Sequence, residues 1–232
     1  MGIRAGVIGL GVGYALACCL AEAGYDTVGI DISPEVVANP RADASVKRLY
    51  EYDSRHRRNI GSHLQLSTDY GKLSDCDYVM VCVSTGDEKK LVLGHVEGAV
   101  NSYCKVAKHG ASMIVYSTLP FGSSKKIKKT IEDNRLRCDE DIRYVHMPLM
   151  IAQGTTAEDF VNPPFVAFGS YSRVSAQDAL EFYERFIMSS SLWKKQLPPM
   201  FVTTPETAEL AKLTANAFLS TCLLYTSDAA DE

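Results

Sequence analysis

Hydrophobic and polar positions along the chain fall into blocks that switch period. Ile3–Gly9 is a short apolar run. After a cluster of glycines comes Tyr14–Ala23, in which Leu16, Cys19, Leu20 and Ala23 recur at i, i+3, i+4 and i+7. The first block predicts a buried strand, the second an amphipathic helix that Gly24 closes as a C′ glycine. Thr27–Ile32 is a second apolar run. Strand, tight turn, helix and strand within about 30 residues make a βαβ unit.

The alternation continues. Asp77–Thr85 is almost continuously apolar, the mark of a strand covered on both faces of a parallel sheet. Ser112–Thr118, Ile142–Met147, Phe165–Gly169 and Met200–Thr203 predict further strands. Gly94–Lys108 and Ser123–Asn134 predict helices, as does a segment opened by Ser175-x-x-Asp178 and running to Ser189. Thr203-x-x-Glu206 with Pro205 opens a last helix. The polar stretch 33–62 predicts one or two surface helices. Together these elements predict an α/β fold, a Rossmann-like doubly wound, mostly parallel sheet followed by the start of a central helix. Such sheets bind ligands where their strands end at the carboxyl side. The turns after Ile8, Ile30, Val83, Ser117 and His146 are therefore the places for chemistry.

Composition narrows the classes. The 232 residues are 46% hydrophobic, with 24 Lys and Arg against 28 Asp and Glu. That is a globular profile, and a net charge of −4 gives no electrostatic reason to expect nucleic acid. No window reaches the ~18–20 consecutive apolar residues of a membrane span, and Met1–Gly9 lacks the layout of a signal peptide. Cysteines 18, 19, 76, 82, 104, 138 and 222 form no Cys-x-x-Cys or Cys/His metal spacing. They predict free thiols, a cytoplasmic location and no metal site. Arg55–Arg58 and Lys125–Lys129 are read as solvated faces.

Gly9-Leu10-Gly11-Val12-Gly13 joins the first strand to the first helix. Gly9, Gly11, Val12 and Gly13 are candidate cofactor residues, because small side chains let backbone N–H groups approach a pyrophosphate at the positive end of a helix dipole. Asp31 closes the second strand, placed to accept hydrogen bonds from an adenosine ribose and to repel a 2′-phosphate. The expected cofactor is NAD. The usual spacing is G-x-G-x-x-G; here the third glycine comes one residue early and Tyr14 takes its place, a departure expected to tilt the helix or pack it closer.

Several blocks together resemble the UDP-glucose/GDP-mannose dehydrogenase family: 8–32, DYVMVCVST (77–85), VYSTLPFGSSKKI (115–127), MPLMIAQGTTAEDFVNPPFVAFG (147–169) and PETAELAKLTANAFLS (205–220). The resemblance implies oxidation of a nucleotide-sugar C6 alcohol to the uronate with two NAD. It implies that Val83, Ser84, Thr85 and Ser117 lie against NAD. It makes Thr118, Lys212 and Asn216 the catalytic candidates, with Thr118 reaching toward cofactor and reacting water, and Lys212 and Asn216 holding the reacting oxygen. Lys212 and Asn216 stand at i, i+4 on one helix face. It further implies a nucleotide-sugar partner, a homodimer built on the central helix, and a nucleophilic cysteine with a nucleotide-binding domain beyond residue 221.

The chain departs from the family where Leu149 and Gln153 replace two carboxylates and Phe165 replaces an arginine. Leu cannot exchange a proton and Gln cannot titrate, which puts the thioester hydrolysis step in doubt. Cys222–Glu232 resembles a translated frame of a transposase-type sequencing adaptor. The expected organisation is thus an NAD-binding domain at 1–203, the start of the central helix at 204–221 and foreign residues at 222–232, with the fragment itself inactive. Two other readings stay open. One is a catalytically reduced relative that binds NAD or a nucleotide sugar; the other is a hydroxyacid-type NAD dehydrogenase.

Overall fold

The computed structural model describes residues 2–41, 44–52, 54–86, 92–152 and 154–226, without the side chains of 49–58 and 223–226. Eight strands and nine α-helices, with a short 3-10 helix at Tyr70–Leu73, follow one another within those residues. The first half holds β1 (Arg4–Ile8), α1 (Gly13–Glu22), β2 (Asp26–Ile30), α2 (Pro34–Ala38), α3 (Ala44–Tyr52), α4 (Ser54–His63), β3 (Leu64–Ser67), β4 (Tyr78–Val81) and α5 (Gly94–Cys104). The second holds β5 (Ala111–Val115), α6 (Ser123–Asp133), β6 (Ile142–His146), α7 (Thr156–Val161), β7 (Val166–Gly169), α8 (Arg173–Ser189), β8 (Met200–Thr203) and α9 (Pro205–Thr226).

The strands form one sheet in the order β3-β2-β1-β4-β5-β6-β7-β8. All neighbours are parallel except β6 and β7. The first six strands have the doubly wound order, whose direction of winding reverses between β1 and β4 and leaves a crevice there. Both faces are covered. Leu16 and Leu20 of α1, Phe160 of α7, and Phe182, Tyr183 and Phe186 of α8 fill one layer. Val96, Val100 and Tyr103 of α5 with Ile127 and Ile131 of α6 fill the other. Each fully buried aliphatic or aromatic side chain contributes about 1.5–3 kcal/mol.

Polar ties fix the layers. Tyr78 stacks on Phe182 with ring centroids 4.0 Å apart. The Tyr78 and Ser112 hydroxyls donate to the two oxygens of Asp178, at 3.1 and 2.6 Å, pinning α8 to the sheet. At Gly169 of β7 an added Cβ would stand 2.8 Å from both Ala208 Cβ and Pro205 Cα, so only glycine admits the start of α9 this close.

Several expectations change. The apolar run 77–85 is strand only to Val81; Cys82–Thr85 leaves the sheet and borders the crevice. Ser172, not Ser175, caps α8: its Oγ accepts from the Ser175 N–H at 3.4 Å. Thr204, not Thr203, caps α9, accepting from the Thr207 N–H at 3.3 Å, while Thr203 still belongs to β8. The stretch 33–62 holds three helices, α2, α3 and α4. The edge strand β3 and the one-and-a-half-turn α7 were not anticipated. No helix among the described residues is long and apolar enough to cross a membrane.

Candidate functional site

The glycine turn assigns a separate task to each glycine. Gly9 has φ of +92°, the left-handed region that side chains avoid, and an added Cβ would lie 3.0 Å from the Cys82 carbonyl carbon and oxygen. Its own N–H donates to the Ile30 carbonyl at 2.8 Å, tying the turn to β2. An added Cβ at Gly13 would meet Cys82 Cβ at 2.8 Å and Val7 Cγ1 at 2.9 Å, so Gly13 brings α1 onto the strands. The early third glycine therefore still performs the close packing, and Tyr14 is buried in the core rather than lying in the cleft. A Cβ on Gly11 would meet nothing within 4 Å. Gly11 and Val12 border the cleft, and among the described residues their N–H groups have no partner. Two unpaired donors at the start of a ten-residue helix, with open space before them, fit a pyrophosphate.

Asp31 stands immediately after β2 and faces the same turn. One carboxylate oxygen accepts from the Leu10 N–H at 2.8 Å, the other from the Ser33 N–H at 3.0 Å. The carboxylate fixes the glycine turn to the head of α2, and each oxygen keeps a lone pair for a ribose hydroxyl. The Tyr70 ring borders the same space; burial first and the Asp31 charge second push its hydroxyl pKa up.

From this end a cleft of about 1420 Å³ runs across the carboxyl ends of β1, β4 and β5. Sites for small ligands typically occupy about 300–1,000 Å³, so the space exceeds the need of a single compact ligand. Val83, Ser84, Thr85, Ser117 and Thr118 all border it. The Ser117 hydroxyl, though, donates to the Val83 carbonyl at 2.7 Å and so braces the neighbouring segment. The His95 imidazole lies 3.1 Å from the Ser84 carbonyl and secures that segment to α5. Thr118 is half-buried, and among the described residues its hydroxyl has no partner.

At the far end Lys212 and Asn216 project from α9 into the cleft beside Leu149 and Ile151. Lys212 is half-buried. Its Nζ finds only the Met150 sulfur, at 3.9 Å, and no carboxylate among the described residues. Desolvation lowers its pKa from the ordinary lysine value. Leu149 borders the cleft where a carboxylate was expected on family grounds; Gln153 lies outside the described residues. Phe165 lines a recess of about 10 Å³ beside Leu149 and Met150.

Cys76, Cys82 and Cys104 are buried and behave as inert thiols. Burial pushes Cys76 up to about 12 and Cys104 to about 11, and holds Cys82 well above the ordinary thiol range. No cluster of His, Cys, Asp and Glu suited to a metal occurs among the described residues. Tyr70, His95, Tyr116 and Ile151 also border the cleft and were missed from sequence. Tyr116 and Ile151 each lie inside a recognised block, and that membership was the only signal.

Known proteins resemble this chain in sequence and in fold. The chain is 28% identical to the UDP-N-acetyl-D-mannosamine dehydrogenase of Pyrococcus horikoshii, over 93% of its own length and 50% of the relative. It is 26% identical to the UDP-glucose 6-dehydrogenase of Haloferax volcanii, over 97% and 53%. The ternary complex of Pseudomonas aeruginosa GDP-mannose dehydrogenase superposes with a TM-score of 0.82 at 22% identity, covering 96% of this chain and 51% of that one. The chain thus spans about half the length of these relatives. Residues 3–187 match the UDP-glucose/GDP-mannose dehydrogenase family, NAD binding domain. With its glycine turn, strand-end carboxylate and sheet order, the chain belongs to the UDP-glucose/GDP-mannose dehydrogenase family and carries that family's NAD-binding domain.

Proposed function

We propose that this chain is the cofactor-holding half of a nucleotide-sugar dehydrogenase that oxidises the C6 alcohol of a UDP- or GDP-sugar to the uronate. One observation carries the reading. A single cleft joins the phosphate turn and Asp31 at one end to Thr118, Lys212 and Asn216 at the other. Bound NAD would supply the hydride acceptor for the alcohol carbon. Gly11 and Val12 present N–H groups to its pyrophosphate, Asp31 grips its ribose, and Val83, Ser84 and Thr85 form the floor.

The chain's own residues then act on the reacting oxygen. Lys212 presents a cation in a partly desolvated place, where its attraction for a developing alkoxide exceeds that in water. Asn216, one turn further on, offers an amide donor to the same oxygen. Thr118 supplies a hydroxyl that can donate or accept at the carboxyl end of β5. Among the cleft-lining residues described, carboxylates stand only at Asp31 and Glu35, both beside the adenosine end. The second oxidation and hydrolysis therefore depend on groups outside the described cleft, the nucleophilic thiol included. On this reading the isolated 232 residues bind NAD and do not turn over. The complete protein is a cytoplasmic homodimer without a nucleic-acid partner.

Leu149 at the cleft wall favours one second reading, a relative that binds NAD and a nucleotide sugar without completing the oxidation. Two experiments separate these. NAD and NADP are titrated into the chain by calorimetry, and UDP- and GDP-sugars are offered to the complete protein while reduced NAD is followed. NAD-selective binding with sugar-dependent reduction supports the dehydrogenase. Binding without reduction supports the second reading. Absence of NAD binding sinks both.

A further inference from the structure

Glu209 is fully buried on α9, three residues before Lys212. It borders no ligand cleft, and no cation pairs with it among the described residues. Its carboxylate instead accepts three hydrogen bonds from the start of α6: the Gly122 N–H at 2.6 Å on Oε2, and the Ser124 N–H and Ser124 Oγ, both at 2.6 Å, on Oε1. Tyr144 extends the network by donating to Ser124 Oγ at 2.9 Å. The N-cap of α6 is Gly122, in the left-handed conformation with φ of +81°, and it has no side chain to cap with. Two backbone donors at the start of α6, the Gly122 and Ser124 N–H groups, are satisfied by a carboxylate from a different helix, while the Ser123 N–H donates to the Pro120 carbonyl at 3.1 Å.

That arrangement has a geometric consequence. The capped turn begins at Thr118, four residues before Gly122. The capping helix carries Lys212 one turn after Glu209, on the same side. Two candidate reacting groups that come from separate elements are thereby joined through one buried carboxylate. A local serine or aspartate at position 122 would cap α6 equally well without making that connection. We propose that Glu209 is a positioning residue, which holds the Thr118 turn and the Lys212 helix in fixed register across the reacting end of the cleft. The inference rests on the reading that Thr118 and Lys212 form that end.

The test compares Glu209→Gln, Glu209→Ala and Ser124→Ala in the 232-residue chain. The titration of Lys212 is followed by NMR of labelled lysine side chains, assigned with Lys212→Met. Desolvation alone lowers the Lys212 pKa, with no charge contribution from Glu209. Losing the clamp is therefore expected to admit water and raise the Lys212 pKa. The expected order is Glu209→Ala above Glu209→Gln and Ser124→Ala, with a rise of about half a unit or more in the first. Gln is the partial rescue, because its carbonyl still accepts from Gly122. NAD affinity, set at the Asp31 end, is expected to change less than twofold. If the folded variants lose thermal stability while Lys212 titrates as in the parent, Glu209 is only a helix cap and the proposal is overturned. Should Glu209→Ala not fold, the two milder variants decide in the same way. Failure of NAD to bind the parent chain would remove the functional reading and leave the Lys212 comparison intact.

Discussion

The carboxylate of Asp31 accepts a hydrogen bond from the backbone N–H of Leu10 at 2.8 Å, joining the end of the second strand to the middle of the glycine turn. One residue thus shapes the phosphate site and presents the ribose acceptor. Asp31→Ala removes the bonds to Leu10 and Ser33 together with any bond to ribose. Each is worth about 1–3 kcal/mol as a charge-assisted bond. NAD affinity measured by calorimetry is expected to fall about 10- to 100-fold, since each 1.4 kcal/mol is a factor of ten. Asp31→Asn, which keeps one acceptor, is expected to fall between the parent and Asp31→Ala.

The glycines separate fold from binding. Gly11→Val places a side chain where the structure has open space, so stability is expected to change by less than about 0.5 kcal/mol while NAD binding is lost. Gly13→Val forces a side chain against Cys82 and Val7, an overpacking expected to cost about 1–3 kcal/mol or more in denaturant unfolding. Equal stability losses in the two variants would contradict the division of labour between these glycines.

The sequence showed the scaffold and the adenosine end well, because both are local. Hydrophobic periodicity located β1, α1 and β2 to within a few residues, the Pro205 and Glu206 start signal located the opening of α9, and Asp31 followed from its place at a strand end. What escaped depends on contacts distant in sequence. Glu209 meets Gly122 and Ser124 across 85 or more residues, and nothing in the string Ala208-Glu209-Leu210 marks it as buried. Ser117 borders the cleft as expected from sequence, but the bond from its hydroxyl to the Val83 carbonyl, 34 residues away, was not legible there. The strand β3, with only Leu64 and Leu66 alternating, is too short for periodicity to separate from a loop. The early third glycine was expected to tilt the first helix or pack it closer, and Gly13 lies packed against Cys82 and Val7.

Lys212→Ala is expected to separate binding from reaction. Lys212 stands at the cleft end away from Asp31, so NAD affinity of the chain is expected to change less than threefold, about 0.6 kcal/mol. In the complete protein, loss of an electrostatic stabiliser of the reacting oxygen is expected to lower kcat about 100-fold or more, with a smaller change in KM. A change confined to KM would make Lys212 a substrate-binding group only.

His146 gives the fold a specific acid sensitivity. It ends β6 fully buried; its Nδ1–H donates to the Val115 carbonyl at 3.0 Å and its Nε2 has no partner among the described residues. Burial lowers its pKa to about 4, against about 6.5 for an unfolded histidine. Because the folded value lies below the unfolded one, the neutral ring favours folding above about pH 6.5, and that contribution is lost as pH falls toward about 4. A difference of about 2.5 units corresponds to about 3 kcal/mol across that window. Urea unfolding at pH 7 and pH 5 is expected to show a decline in stability that is distinctly smaller in His146→Leu. Parallel declines in parent and variant would assign the acid sensitivity to groups other than this imidazole.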